Sequence, residues 1–446
     1  MRIMIAGTHS GCGKTTLTLS LMAALKARGL RVAPFKTGPD YIDPGFHAMA
    51  CGRPSHNLDA HLLDWETINY LLAHYGADAD ISIIEGVMGF YDGRDAVSLE
   101  CSSYELARRT HTPVLLAVDA AGGAASVAAQ VLGFKQLAPD NTIAGVIVNR
   151  VSSQMHYALV RDAVWHYTGL PCVGYLRKDA ELKLNSRHLG LVPAEELPEL
   201  QAQLERASAL ASEGIDLEQV RSIAASAPEL NAPECAMTRW LADNQGALSG
   251  MRIGVPRDAA FSFYYQANLD ALERAGAELV RFSPLADAAL PERLDALYIG
   301  GGFPEVFARQ LEDNVAMRTA IRAALEHGMR CYAECGGLIY LSERVDGHDM
   351  VGYIPVECKL TDRLQRFGYV TVCDSTGLKF PAHEFHHAIA TPTGDVDLEF
   401  DVTRAGGKGQ WRCGYRKGNT LAGFPHIHFW SQPEVMTRLL GDRRKV

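Results

Sequence analysis

Phosphate binding is the chemistry that the stretch MIAGTHSGCGKTT, from Met4 to Thr16, could perform. The stretch ends in Gly-Lys-Thr, although Thr8 stands where the common phosphate-binding loop has a glycine. Backbone NH groups at a glycine-rich turn and a helix start surround a phosphate, Lys14 adds a charge, and the Thr15 hydroxyl reaches a magnesium ion. The alternative interpretation is a glycine turn with a surface lysine. The residues expected to bind the nucleotide are Gly11, Gly13, Lys14, Thr15 and Thr16.

Three carboxylates follow predicted strands of the same region. Asp40 and Asp43 lie three apart in a loop bounded by Gly and Pro, and Glu85 closes the apolar run ISIIE. Open α/β sheets bind ligands at the carboxyl ends of their strands, where carboxylate oxygens can hold a magnesium ion that bridges phosphates. A helix cap or a turn residue is the structural alternative for each carboxylate. We expect a magnesium site whose protein ligands are Thr15, Asp40 and Glu85.

A thiol nucleophile is expected later in the chain. In YAECGGLIYL, Cys335 follows the apolar run Met329 to Ala333 and precedes two glycines and a helix-like stretch. A sharp strand-to-helix turn exposes a nucleophile, and the NH groups at a helix start favour a thiolate. His426 in GFPHIHFW is the best candidate for the base. The backbone NH groups expected to bind a tetrahedral oxyanion are those of Gly301, Gly302 and Gly336.

The elements that must position these residues indicate an α/β fold. Apolar runs alternate with helix-like stretches over residues 1–194: RIMIAG, LRVAPFK, ISIIEG, PVLLAVD, IAGVIVNR and PCVGYL. Such runs are typical of a parallel sheet that is covered on both faces. The pattern restarts at MRIGVP, from residue 251, and LDALYIGGGFPE and MRCYAECGGLIYL are further transitions from a strand to a loop. The predicted organisation is a P-loop domain over 1–194, a helical linker over 195–250 and a second α/β domain over 251–446.

Composition and charge limit the functions open to this chain of 446 residues. Its 47% hydrophobic and 21% charged residues are ordinary for a globular protein. The formal net charge of -9, with no Lys/Arg run longer than the terminal Arg-Arg-Lys, argues against a nucleic-acid partner. The N-terminus does not resemble a signal peptide, and the longest apolar region, 113–134, contains Asp119, so we expect a cytoplasmic protein without a membrane partner. Ten cysteines without a CxxC pair indicate neither a zinc site nor a disulfide framework.

The loop from Gly7 to Thr15 fits the pattern Gly-Thr-x-x-x-x-Gly-Lys-Thr of the dethiobiotin synthetase-like group, whose members mostly use ATP to phosphorylate a carboxylate or carbamate. Further strings narrow the resemblance: PFKTGPDYIDPGFH (34–47), NLD (57–59), IIEGVMGFYDG (83–93), VDAAGGAASVAA (118–129), VNRV (148–151) and RHLGLVPAEE (187–196). In this order they resemble the cobyrinic acid a,c-diamide synthase family, which also includes the hydrogenobyrinate and nickel-sirohydrochlorin enzymes. The resemblance extends over essentially the whole chain.

This resemblance implies roles for individual residues. Asn149 in VNRV would read the adenine of ATP, although an Asn at a strand end is also a common cap. The second α/β domain resembles a class I glutamine amidotransferase, in which Cys335 takes the glutamyl group of glutamine and releases ammonia. The usual triad of that class has a Glu two residues after the base, where this chain has His428, so the group that orients His426 stays open. The acceptor-substrate and catalytic positions implied for the first domain are Asp40, Tyr41, Ile42, Asp43 and Glu85.

The string HEFHH brings His383, His386 and His387 together. A metal cluster is one interpretation of this string. It also resembles the His-Glu-Phe-His string of the family, in which case His386 and Glu384 would serve structure or substrate. We expect no dedicated metal ion there.

An ATP site and a glutaminase site in one chain imply a single reaction in this family. Ammonia from glutamine displaces phosphate from a phosphorylated acetate side chain of a corrinoid, once at the a and once at the c position. We expect cobyrinate as the acceptor, ATP and Mg²⁺ as cofactors, and a homodimer. Hydrogenobyrinate, nickel-sirohydrochlorin and the reaction of cobyric acid synthase are alternatives within this class. A ParA- or MinD-like switch ATPase, which normally has an additional lysine where this chain has His9, and a regulatory protein descended from an amidotransferase are alternatives from other classes.

Overall fold

A computed structural model describes residues 1–179, 182, 198–407 and 409–441. Within these ranges the chain forms two compact units, and the division along the chain falls between Pro233 and Glu234, with His61–Leu63 grouped with the second unit. The string RHLGLVPAEE and the predicted boundary at residue 194 lie outside the described residues. The predicted domain boundaries therefore stay a prediction.

The first unit contains a seven-stranded sheet in the order β3-β2-β4-β1-β5-β6-β7, and all of its ladders are parallel. Its strands are β1 Arg2–Gly7, β2 Val32–Thr37, β3 His56–Leu58, β4 Ile81–Glu85, β5 Val114–Asp119, β6 Ile143–Val151 and β7 Cys172–Arg177. Its helices include α1 Lys14–Ala27, α2 Asp43–Cys51, α3 Trp65–Gly76, α4 Ser103–Arg109, α5 Ala125–Leu137 and α6 Gln154–Thr168. The predicted parallel α/β sheet is confirmed.

The six apolar runs of the sequence analysis coincide with β1, β2, β4, β5, β6 and β7. These strands are almost entirely buried because helices cover both faces of a parallel sheet. The sequence analysis missed β3, since His-Asn-Leu is too short and polar to stand out as a strand. In the sheet order β1 separates β4 from β5, so the crevice at its carboxyl end is a topological switch point where such sheets bind ligands.

Helices follow the first sheet along the chain. They are α7 Pro198–Gly214, α8 Leu217–Ala225 and α9 Ala236–Asp243. The apolar side of α7, with Leu204, Ala207 and Ala211 buried, packs on α1 and β7. The helical character predicted for the linker is therefore present in its described part, and α7 and α8 belong to the core of the first unit.

The second unit contains a ten-stranded sheet in the order β10-β8-β11-β13-β22-β21-β20-β17-β18-β23. The five strands from β10 to β22 are parallel: β8 Arg252–Pro256, β10 Glu278–Phe282, β11 Ala296–Ile299, β13 Arg330–Glu334 and β22 Thr420–Gly423. The antiparallel part consists of β17 Arg366–Asp374, β18 Lys379–His386, β20 Asp397–Arg404, β21 Gln410–Lys417 and β23 His426–Ile427. The predicted strands at MRIGVP, LDALYI and MRCYA coincide with β8, β11 and β13, whereas no strand was predicted in the antiparallel part.

Smaller elements complete the second unit. Its other strands are β9 Phe261–Phe263, β12 Gly301–Gly302, β14 Arg344–Val345, β15 His348–Asp349, β16 Val356–Leu360 and β19 Ala388–Pro392. Its helices are α10 Gln266–Arg274, α11 Ala308–Asp313, α12 Val315–Glu326, α13 Gly336–Leu341, a 3-10 turn Phe429–Ser431 and α14 Glu434–Leu440. Throughout the ranges described, no helix combines the length and the apolar character that crossing a bilayer requires.

Candidate active sites

The glycine-rich loop lies between β1 and α1, as the sequence analysis predicted. Gly13 caps α1 in a left-handed conformation with φ of 93°, and Gly11 has φ of 82°. A Cβ on Gly13 would lie only 2.0 Å from Asn149 Nδ2, so both the backbone conformation and the close approach require glycine. The turn aims the first NH groups of α1 towards the crevice beside β1.

Two side chains from the end of β6 brace this loop. The Asn149 amide is buried and donates to Cys12 O at 2.9 Å. Arg150 donates to Gly11 O at 2.8 Å and pairs with Asp119 Oδ2 at 2.6 Å. Asn149 thus contacts the loop backbone itself, and its adenine-reading role stays a prediction. The sequence analysis missed the contact of Arg150 with the loop, although Arg150 is part of the string VNRV.

Lys14 and Thr15 point towards the ends of neighbouring strands. Lys14 Nζ donates to Met88 O at 2.5 Å, and burial lowers the pKa of this side chain. Thr15 Oγ1 donates to Glu85 Oε1 at 2.7 Å. Thr16 lies in the first turn of α1, where its carbonyl accepts from Ser20 Oγ. The loop and the predicted carboxylate Glu85 are therefore parts of one site.

Lys36 is a site residue that the sequence analysis missed. It is the penultimate residue of β2, and its Nζ lies 2.5 Å from Asp43 Oδ2, 3.1 Å from Glu85 Oε1 and 3.9 Å from Asp40 Oδ2. Burial alone would lower the pKa of Lys36, but the three carboxylates outweigh it and raise the pKa. The structure thus brings together the three predicted carboxylates around one buried cation.

His47 is the second residue that the sequence analysis missed. It is fully buried, and its Nε2 lies 2.7 Å from Glu85 Oε2 while its Nδ1 lies 3.2 Å from Ser55 Oγ. Burial alone would raise the pKa of Glu85, but the charge of Lys36 and hydrogen bonds from His47 and Thr15 lower it. The spacing offered a signal, because His47 follows Asp43 by four residues and so shares its face of α2.

Asp40, Tyr41 and Ile42 form the turn between β2 and α2. Asp40 Oδ1 accepts from the NH groups of Ile42 at 2.8 Å and Asp43 at 3.0 Å, and Asn57 Nδ2 donates to Asp40 O at 2.7 Å. Tyr41 and Ile42 are half-buried beside the carboxylates. The structure brings them next to the other predicted residues, and their substrate contacts stay a prediction.

The oxygen atoms of this cluster suit Mg²⁺. The hydroxyl of Thr15 and the carboxylate of Glu85 are in direct contact, and Asp40 shares Lys36 with Glu85. Mg²⁺ prefers such oxygen ligands and keeps several waters or phosphate oxygens, so two carboxylates are enough. Across the described part of the chain, this cluster and HEFHH included, no group of three or more His, Cys, Asp or Glu side chains forms a metal cage.

In the second unit, Cys335 lies at the turn from β13 to α13. It has φ of 48° and ψ of -100°, a strained conformation for a residue with a side chain and one typical of a nucleophile elbow. Its NH donates to Gly423 O at 2.7 Å, and its Sγ lies 3.9 Å from Phe385 O. A Cβ on Gly337 would lie 2.4 Å from Ile299 O, which explains a glycine in this tight turn.

His426 lies on β23 beside Cys335 and is buried. Burial would lower the pKa of the imidazole, but the charge and hydrogen bond of Cys335, followed by those of Glu334, raise it to about 10. His383 lies opposite His426 in the ladder of β18 and β23. Burial, followed by the charge of His426, lowers the pKa of His383 to about 3. The pair that the sequence analysis predicted, Cys335 and His426, is thus in contact.

The predicted oxyanion glycines gather around this pair. A Cβ on Gly301 would lie 2.7 Å from His426 Cε1, and a Cβ on Gly336 would lie 2.9 Å from Gly302 N. Gly302 has φ of 156°, and its own Cβ would lie 2.0 Å from Ala260 O. Gly336 begins α13, where an NH has no partner within the helix. These glycines therefore lie around the Cys335–His426 pair, and their role in binding an oxyanion stays a prediction.

Glu334, which the sequence analysis missed, is adjacent to His426. Its carboxylate is buried, and Oε2 lies 3.7 Å from His426 Nδ1. His428, at the position where the usual triad has Glu, is fully buried and stacks on Tyr265 with ring centroids 4.6 Å apart. The residue beside the nucleophile, and not the residue after the base, supplies the carboxylate near His426.

The remaining residues of HEFHH have distinct surroundings. His386 stacks on Phe424 with centroids 3.8 Å apart, and its Nδ1 contacts Ala388 O at 2.8 Å. Glu384 is buried, and its Oε2 lies 3.8 Å from His386 Nε2. These contacts serve the packing of β18.

Family models of known proteins match two separate parts of the chain. A model described as the CobQ/CobB/MinD/ParA nucleotide binding domain matches residues 3–192. A model described as the CobB/CobQ-like glutamine amidotransferase domain matches residues 252–434. A solved structure titled as a glutamine amidotransferase covers 42% of this chain and 98% of its own at 18% identity, with a TM-score of 0.34.

Curated relatives match the chain from end to end. A cobyrinate a,c-diamide synthase of Listeria innocua is 44% identical, and the match covers 100% of this chain and 100% of the relative. The enzyme of the same name from Priestia megaterium is 40% identical over 98% of this chain and 95% of its own. That of Salmonella typhimurium is 40% identical over 99% of this chain and 98% of its own.

Proposed function

The chain belongs to the cobyrinate a,c-diamide synthase family, and from this premise we propose how its two sites divide the reaction. It is a glutamine-dependent amidating ligase of cobalamin biosynthesis that uses ATP. The observation that carries the assignment is the presence, in one chain, of a phosphate-binding loop beside three carboxylates and a Cys335–His426 pair.

In the second unit, Cys335 releases ammonia from glutamine. His426 accepts the thiol proton, Sγ attacks the side-chain amide carbon, and NH groups of Gly301, Gly302 and Gly336 stabilise the oxyanion. The C–N bond breaks as His426 returns the proton to the departing nitrogen, which leaves a glutamyl thioester and ammonia. Water then hydrolyses the thioester to glutamate and restores Cys335. The contact of His426 with Cys335 and the strained turn of the nucleophile support these roles.

In the first unit, the acceptor carboxylate attacks the γ-phosphorus of ATP, the bond from that phosphorus to the β,γ-bridging oxygen breaks, and ADP leaves. Gly11, Gly13, Lys14 and Thr16 bind the phosphates, with Asn149 at the base of the loop. When bound, Mg²⁺ neutralises phosphate charge, and its protein ligands are Thr15, Asp40 and Glu85. The ion pairs of Lys36 with Asp43 and Glu85 hold these side chains in place beside the reacting groups. Ammonia then displaces phosphate from the phosphorylated carboxylate, and an amide remains.

The acceptor is cobyrinate, amidated at its a and c acetates, with Tyr41 and Ile42 among its contacts. The three relatives are cobyrinate a,c-diamide synthases, which supports cobyrinate over hydrogenobyrinate and nickel-sirohydrochlorin. Their full-length match to this chain also favours two amidations over the reaction of cobyric acid synthase. A ParA- or MinD-like switch ATPase shares the nucleotide-binding domain, but its function does not require the contact between Cys335 and His426. We further propose a cytoplasmic homodimer, which light scattering after size-exclusion chromatography tests.

A competition among acceptors tests this function. The protein is given glutamine and Mg-ATP with cobyrinate, hydrogenobyrinate or nickel-sirohydrochlorin, and mass spectrometry counts amide gains. Two amides on cobyrinate are expected. Two amides on another acceptor would move the enzyme to that pathway, and hydrolysis of ATP with no amide on any acceptor would contradict the function.

The Cys335→Ala variant tests the division of labour. Amidation with glutamine should vanish, because the nucleophile is lost, while amidation with free ammonium should persist. Cys331→Ala is the matched control, since this second thiol is fully buried inside β13 and its pKa is raised by burial. Loss of both glutamine- and ammonium-dependent activity in Cys335→Ala, with a folded protein, would refute separate sites.

A further inference from the structure

We propose that Glu334 is the positioning residue of His426 and completes a Cys335–His426–Glu334 triad, whose members come from the end of β13, the turn that follows it and β23. This inference rests on the proposed glutaminase function. In the usual class I arrangement the carboxylate follows the base by two residues, and here that position is His428. The carboxylate instead comes from the last residue of β13, immediately before the nucleophile.

The Glu334 carboxylate is held in place before any substrate binds. Its Oε1 accepts from Tyr332 OH at 2.8 Å and from the NH of Ile427 at 3.0 Å. Its Oε2 accepts from Tyr298 OH at 3.3 Å and lies 3.7 Å from His426 Nδ1. Three donors around one buried carboxylate hold it in a single orientation, and such a network costs stability when left incomplete.

The network ties the base to the nucleophile through the backbone. Ile427 directly follows His426, so the hydrogen bond from its NH to Glu334 Oε1 fixes the strand that carries the base. Cys335 directly follows Glu334 on the neighbouring element. With Nδ1 of His426 facing Glu334, Nε2 is the nitrogen available to the thiol, as in catalytic triads where a carboxylate sets the tautomer.

Glu384 is the competing carboxylate, and the strand geometry disfavours it. His383, not Glu384, lies opposite His426 in the β18–β23 ladder. Successive side chains on a strand point to opposite faces, so Glu384 points away from the face that holds His426. Its Oε2 lies 3.8 Å from Nε2 of His386, on its own strand.

In the reaction, Glu334 stabilises the positive charge that forms on His426. When the proton moves from Cys335 to His426, an imidazolium forms in a buried site, and a fixed carboxylate stabilises that charge. Glu334 keeps its own negative charge throughout, and the proton passes from Cys335 through His426 to the departing ammonia. Without the carboxylate, the thiolate–imidazolium pair is less populated at every pH.

The test is Glu334→Gln, read by the pH dependence of glutamine hydrolysis and by the rate of Cys335 alkylation with iodoacetamide. The glutaminase kcat should fall at least about 10-fold with a smaller change in KM. The alkaline limb of the glutaminase profile should move down by about one pH unit, because the imidazolium loses the opposite charge that stabilises it. Cys335→Ala supplies the background of alkylation at other thiols.

Matched variants separate positioning from folding. Glu312→Gln is a control outside the site, where the Glu312 carboxylate contacts His348 Nδ1 at 2.8 Å. The pH limbs of this variant should not move. Ammonium-dependent amidation in the same preparation reports a folded chain. If Glu334→Gln does not fold, Tyr298→Phe and Tyr332→Phe loosen the carboxylate and should lower kcat several-fold.

The outcomes distinguish the two proposals. No glutaminase in the wild-type protein would refute the proposed function. Wild-type glutaminase with unshifted pH limbs in Glu334→Gln, or with unchanged kcat in both tyrosine variants, would overturn the role of Glu334 alone.

Discussion

At the scale of single residues, both sites depend on buried charged side chains that contact one another. Lys36 is surrounded by Asp40, Asp43 and Glu85, and its cation balances carboxylates that are expected to face Mg²⁺ and phosphate. Unpaired charges in a protein interior are costly, so the cluster is a unit whose members depend on one another. The contribution of this cluster to the free energy of unfolding can be measured by replacing Lys36.

Lys36→Met should lower the free energy of unfolding by about 3–5 kcal/mol, because three carboxylates lose their buried partner. Urea unfolding monitored by circular dichroism measures the change, and added Mg²⁺ should recover part of it. Lys359→Met, at an exposed position of β16, is the control and should change stability little. An unchanged stability in Lys36→Met would mean that the carboxylates are protonated in the native protein.

The pH dependence of glutamine hydrolysis reports His426. Its pKa is raised to about 10, above the value of about 6.5 for a free imidazole. The imidazolium is therefore retained through neutral pH and lost only as the pH rises through the folded-state pKa. We expect kcat/KM to fall on the alkaline side with an apparent pKa near 10, as measured by glutamate release. An alkaline limb near 6.5 would contradict the close pairing of His426 with Cys335 and Glu334.

At the scale of elements, both sites are built at the same kind of junction, where a parallel strand gives way to a helix. The junction of β1 and α1 presents backbone NH groups, and that of β13 and α13 presents a thiol. Each junction needs glycines because the chain turns sharply against a neighbouring strand. The geometry of Gly13 makes this requirement testable.

Gly13→Ala should weaken ATP binding at least about 10-fold, because the new Cβ meets Asn149 Nδ2 at 2.0 Å and φ is 93°. Isothermal titration calorimetry measures the affinity, and glutaminase activity should persist. Gly133→Ala is the matched control, since Gly133 lies within α5 with open space around it, and it should stabilise the protein by about 0.5–1 kcal/mol. Equal ATP affinities in both variants would contradict the phosphate-binding role of the loop.

At the scale of the whole molecule, two units carry two half-reactions that share ammonia. The division of the chain and the two matched family models agree that each unit has its own core and its own site. A variant in one unit should therefore remove one half-reaction and leave the other measurable.

Lys14→Ala should abolish amidation with either glutamine or ammonium, because the charge facing the phosphates is lost. Basal glutamine hydrolysis should remain within a few-fold of the wild type. Paired assays of glutamate release and corrinoid mass measure both activities, with Lys26→Ala, an exposed lysine of α1, as the control. Retained amidation would mean that the first unit does not phosphorylate the acceptor through this loop.

The sequence predicted the parallel strands well because each is a continuous apolar run that only burial on both faces explains. It also predicted the loop, the carboxylates, Cys335 and His426, since these residue types occur at fixed spacing in one short string. The antiparallel strands of the second unit were not predicted, because half-exposed strands such as β20 and β21 lack a distinctive apolar pattern.

The sequence by itself determined the family and predicted the two kinds of site with their candidate residues, because local spacing defines a phosphate loop and a nucleophile turn. Only the tertiary structure decided which distant side chains complete them. Lys36 and His47 meet Glu85, and Glu334 meets His426, because the fold brings together elements that are far apart in the chain. A buried charge is fixed by its neighbours in space, and linear order does not record those neighbours.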